Sequence, residues 1–87
     1  MNTFTQLAEK IIKEQESMIG PMAWDEAKKV KGLDIQANNT INIHGEGKEV
    51  LAGLAQQYEK IFGHTSIEVC KEAIADAKKE DLPAILQ

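Results

Sequence analysis

The chain has 87 residues, 43% of them apolar and 28% charged, with a formal net charge of -4. That length suits one small domain able to bury about 60% of the surface its unfolded form exposes, so residues 1–87 are read as a single unit. Every basic residue is a lysine. An acidic chain without arginine lacks the planar fork that grips phosphates and guanine edges, which counts against nucleic acid and anionic membranes as partners.

Cys70 is the lone cysteine, so no internal disulfide can form and a reducing cytoplasm is the expected compartment. The N-terminus becomes amphipathic at Thr3-Phe4 without a basic run leading into an apolar one, and no stretch approaches the roughly 18 apolar residues of a membrane span. Neither export nor membrane insertion is expected.

In chain order, Phe4, Leu7, Ala8, Ile11, Ile12, Met18 and Ile19 recur at helical spacing and predict an amphipathic helix over about 3–18. Thr3 and Gln6 have the spacing of a capping box, and Gly20 marks the end. Pro21 suits the first turn of a second helix over about 21–31, with Ala23, Ala27 and Val30 on its inner line. Asp25 and Glu26 near its start and Lys28, Lys29 and Lys31 near its end complement the helix dipole. Gly32 then sits where a left-handed residue commonly ends a helix.

From Leu33 the period changes to two. Strands are predicted over about 33–36 and 40–44, with Leu33, Ile35, Ile41 and Ile43 on one face. A two-residue turn at Asn38-Asn39 would scatter the isoleucines over both faces. A three-residue loop, Ala37-Asn38-Asn39, opposes Ile35 with Ile41 and Leu33 with Ile43, and places Asn39 where a left-handed conformation is wanted.

Gly45-Glu46-Gly47 leads into a helix over about 47–62, whose stripe of Val50, Leu51, Leu54, Ala55, Tyr58, Ile61 and Phe62 is the strongest periodic signal in the chain. Gly63 ends it. A fourth helix over about 66–79 is predicted behind Thr65 or Ser66, with Thr65 and Glu68 at capping-box spacing and Ile67, Cys70, Ala73 or Ile74, and Ala77 facing inward. Asp81-Leu82-Pro83 breaks that pattern, and residues 82–86 form a last apolar turn that folds back or docks on a partner. The expected fold is α+β and mainly α, in the order ααββαα, with the hairpin packed against helices.

No catalytic or metal-binding motif accompanies these elements. The run Ile41-Asn42-Ile43-His44-Gly45-Glu46-Gly47-Lys48 resembles a phosphate loop only superficially. Asn42 stands where the first glycine is needed and Glu49 where a magnesium-binding hydroxyl is needed. His44, His64 and Cys70 have no recognised ligand spacing, so no metal or other cofactor is expected. Cys70, a turn inside its helix, is read as a buried structural thiol rather than a nucleophile activated by His64.

Two features point to binding instead. Met18, Ile19, Met22 and Trp24 bunch around the Gly20-Pro21 corner, where methionine adaptability and tryptophan area suit a core corner or a groove for a partner. A lone two-stranded hairpin leaves both outer edges unpaired, which a symmetric dimer joining two hairpins into a four-stranded sheet would satisfy. The expected activity is therefore a non-enzymatic interaction or regulatory module acting as a homodimer or with a protein partner. Its surface is drawn from Met18, Met22, Trp24, Ile41 and Ile43. The alternative is a sensory or carrier domain enclosing a small apolar ligand between the corner and the helix bearing Cys70.

Overall fold

The computed structural model describes residues 3–87. The order is α1 (Thr3–Ile19), α2 (Met22–Ala27), β1 (Leu33–Ile35), β2 (Ile41–Ile43), α3 (Gly47–Phe62) and α4 (Thr65–Ala73), followed by two 3-10 turns, Lys79–Asp81 and Ala84–Leu86. This is the expected mainly helical ααββαα arrangement. Helix α1 touches α2, α3, α4 and β2, while α3 packs on α4 and the Ala84–Leu86 turn closes over α3 and α4.

The core is aliphatic apart from Trp24 and Tyr58, and one contiguous cluster unites Leu7, Ile11, Ile12, Leu33, Ile41, Leu51, Leu54, Ile67, Ile74 and Leu86. With each such side chain contributing about 1.5–3 kcal/mol on burial, the two helical stripes supply most of the stabilisation. Gln15 is buried in the penultimate turn of α1, a position the apolar pattern left blank. Met18 lies seven residues beyond the fully buried Ile11, and therefore on the same helix face, yet it is 64% exposed. The assignment of Met18 to the buried stripe is corrected here: it lies at the edge of the covered face of α1, whose middle runs through Ala8, Gln15 and the half-buried Ile19. Ile61 repeats this on α3, seven residues after the buried Leu54 and itself exposed.

Several element ends differ from expectation. Thr3 is itself helical in α1, so it does not take the cap position its spacing to Gln6 suggested. Helix α2 stops at Ala27 rather than near residue 31, because Lys29 N–H and Val30 N–H tighten onto the carbonyls three residues back, Glu26 and Ala27. The tightened turn carries Val30 into the core. Gly32 follows with φ +85°, and a side chain there would strike the His44 carbonyl and Val50. Helix α4 starts at Thr65 behind His64 without a side-chain cap. Thr65 is already helical, so its capping box with Glu68 does not form, and the Ser66 and Ile67 N–H groups donate instead to the Gly63 and His64 carbonyls. The same helix ends at Ala73 rather than 79. Three-residue turns at Ile74, Ala75 and Ala77 bend the chain so that Leu82, Pro83 and Leu86 reach the interior.

The hairpin matches its expected register. Leu33 opposes Ile43, Asp34 opposes Asn42 and Ile35 opposes Ile41 in an antiparallel pair. Gln36 N–H donates to the Thr40 carbonyl at 2.9 Å and Asn39 N–H to the Gln36 carbonyl at 2.9 Å, enclosing the Ala37-Asn38-Asn39 loop. Asn39 has φ +63°, the left-handed conformation that asparagine tolerates better than most residues. Each strand regularises only three residues, and the sheet contains β1 and β2 alone among the described residues.

Candidate functional site

Helices α2 and α3 are held antiparallel by two side-chain bonds. The Tyr58 hydroxyl donates to the Ala23 carbonyl at 2.7 Å, and Gln57 Nε2 donates to Glu26 Oε1 at 2.8 Å. One turn back from Glu26 is Met22, and one turn on from Gln57 is Ile61. The pairing therefore brings Met22 and Ile61 to the same end of the molecule, where α1 terminates in Met18 and Ile19. Gln15, one turn before Ile19, donates from Nε2 to the Ser66 carbonyl at 3.1 Å and contacts Cys70 Sγ at 3.5 Å. This places the start of α4 at that end too.

The large exposed apolar residues among those described are Met18 (64%), Met22 (45%) and Ile61 (44%), and all three belong to this one end. Their chain neighbours Ile19 and Phe62 are partly buried against the core. The segments that carry these residues also bear the exposed or half-exposed carboxylates Glu14, Glu16, Asp25, Glu59 and Glu68, with the exposed Lys60 beside Ile61. His64 lies between two of them, 3.4 Å from Glu59 and 3.9 Å from Glu68.

Of the residues expected to form the binding surface, Met18 and Met22 do share this face. Trp24 and Ile41 do not: each is 6% exposed and belongs to the core. Trp24 turns inward with Ala23 and Ala27 because the short α2 is buried on a broad face, and its indole N–H has no hydrogen-bond partner among the described residues. Ile41 and its neighbour Ile43, which is half-buried, face the helices from the hairpin. Ile61 is the residue that the periodic reading missed, since its stripe assigned it to the interior.

Cys70 is fully buried, and burial pushes its thiol pKa up while the Gln15 hydrogen bond opposes the shift. A thiol so placed is a poor nucleophile. His64 is exposed and turned towards carboxylates rather than towards Cys70. The space between the corner and α4, where a small apolar ligand was envisaged, contains the Gln15 side chain and its two contacts.

Glu26 is buried with its carboxylate held below the usual range by hydrogen bonds from Gln57 and then Lys29. It acts as a tie between α2 and α3. Beside it runs an open cleft of about 660 Å³, bordered by Lys29, Lys31, His44, Glu46, Glu49 and Val50 among others. Its charges are of mixed sign. No cluster of three or more His, Cys, Asp or Glu suited to a metal occurs among the described residues, and no described helix is long and apolar enough to cross a membrane. No family model, curated protein or solved structure matches the chain.

Proposed function

We propose that this chain is a small non-enzymatic interaction module whose working surface is the end formed by Met18, Met22 and Ile61. The observation that carries this reading is that two core stripes, one on α1 and one on α3, each leave a large apolar side chain uncovered beside a half-buried one, Met18 beside Ile19 and Ile61 beside Phe62. Met18 repeats the face of Ile11 and Ile61 that of Leu54, and both are left in solvent. Isolated exposed apolar residues are ordinary on protein surfaces, but their convergence at one end is what interfaces look like before they are filled. Cys70, kept as a buried thiol, fits residence in the cytoplasm. The test is to isolate the chain from its native cells alongside Met18→Ser/Ile61→Ser. A partner that stays with the parent chain and is lost from an equally stable variant supports the reading. Retention by both removes it.

A second reading is homodimerisation through the hairpins. Its support is the two-stranded sheet, whose outer edges have no strand beside them among the described residues. Light scattering at high micromolar concentration tests it, and a strict monomer disposes of it.

A further inference from the structure

We infer that the occupant of the Met18, Met22 and Ile61 face is a basic amphipathic helix, an inference that rests on the interaction reading above. The charge distribution selects it. Residues 14–25 and 59–68, the two segments that carry Met18, Met22 and Ile61, contain five of the fourteen carboxylates and one of the ten lysines, while the other nine carboxylates and nine lysines cancel. The formal charge of -4 thus falls within the two segments that build the apolar end. Glu14, Asp25 and Glu68 are exposed there.

That arrangement discriminates between occupants. A second copy related by a two-fold axis would set one acidic rim against another, since such an interface uses the same patch on both sides, and like-charge juxtaposition is unfavourable. An anionic lipid surface meets the same repulsion. An extended strand would need a sheet edge to join. The sheet is not at this end: the hairpin loop lies beside Thr5 and Glu9, in the first half of α1. An amphipathic helix needs only an apolar floor for residues at i, i+3, i+4 and i+7, with its flanking positions reaching the rim. Lysine or arginine at those flanks would pair with the exposed Glu14, Asp25 and Glu68.

The experiment uses the full chain and three synthetic helical peptides of about four turns, roughly 14 residues. They share one leucine face and carry lysine, glutamine or glutamate at the remaining positions. Amide chemical shifts locate each peptide, and titration gives its affinity. The expected result is that the lysine peptide moves amides within 14–25 and 59–68 and binds more tightly than the glutamine peptide, while the glutamate peptide does not bind. Affinity should fall by about tenfold or more in Met18→Ser/Ile61→Ser and in Asp25→Lys/Glu68→Lys, with unchanged far-ultraviolet dichroism confirming that both variants fold. If the glutamine peptide binds this face as tightly as the lysine peptide, the basic partner is overturned while the interaction surface stands. Should the same amides shift with protein concentration in the absence of peptide, the occupant is a second copy, and the basic helix is again overturned. If no peptide moves these amides, both readings fall.

Discussion

The Tyr58 hydroxyl donates to the Ala23 carbonyl at 2.7 Å from a fully buried ring, joining α3 to α2 through the middle of an otherwise aliphatic interior. Replacing Tyr58 with Phe keeps the ring and removes the donor. The expected loss is about 1–2 kcal/mol, set by a buried acceptor deprived of one partner, and chemical denaturation at neutral pH measures it.

The same burial makes stability sensitive to alkali. The Tyr58 phenol is shifted well above its ordinary value by burial first, and the Cys70 thiol is shifted upward for the same principal reason. A group with a raised folded pKa contributes fully below its unfolded pKa and loses that contribution as pH rises towards the folded value, because the native state keeps a proton the unfolded chain has released. Stability should therefore decline from about pH 9 upward, with a slope approaching about 1.4 kcal/mol per pH unit for each such group. Tyr58→Phe should flatten the decline above about pH 10. An identical slope in the variant would count against Tyr58 as its source.

Glu26 gives the opposite sign. Hydrogen bonds from Gln57 and Lys29 lower its pKa, so its contribution is present above the unfolded value and fades as pH falls through the folded one. Glu26→Gln should show a weaker loss of stability than the parent chain between about pH 5 and pH 3. Parallel acid denaturation curves would show that Glu26 adds nothing to that loss.

At the hairpin, Asn39 occupies φ +63°. Asn39→Val should cost about 1–2 kcal/mol, because a branched side chain crowds the following carbonyl in the left-handed region. Asn39→Gly should be neutral or slightly stabilising. Thermal melts of the pair check the order, and a valine variant as stable as the parent would refute the conformational account.

The start of α3 tolerates no side chain at Gly47, where a methyl group would overlap the Phe4 ring. Gly47→Ala should destabilise by about 1–3 kcal/mol through overpacking. In Phe4→Ala/Gly47→Ala the alanine should cost less than it does alone, since the ring is gone. A double-mutant cycle on the melting curves reads the difference.

Much of this fold is legible in the residues because local and global preferences agree. The parity of Leu33, Ile35, Ile41 and Ile43 admits one hairpin register that keeps them on a common face, and that register is the one adopted. The stripe from Val50 to Tyr58 likewise dictates which side of α3 is buried. Periodicity fails where it must report coverage rather than direction. It gives Met18 and Ile61 the same orientation as Ile11 and Leu54, but whether a neighbour reaches that far depends on the lengths and crossings of other helices. The same limit hid the exposed apolar end, since its members come from α1, α2 and α3 and converge only through the Tyr58 and Gln57 bonds. Gln15 was missed for a complementary reason: a polar residue on an apolar stripe looks like an interruption until its partner, the Ser66 carbonyl, is brought beside it from 51 residues away.

Gln15 also has a consequence for how the helices can move. Aliphatic ridges alone tolerate small sliding adjustments, because one methyl group serves nearly as well as the next. A directed amide bond from α1 to the Ser66 carbonyl breaks that degeneracy, so any displacement of α1 along α4 is opposed by an unpaired amide in a dry interior. The turn bearing Met18 is thereby keyed to the register of α1 against α4.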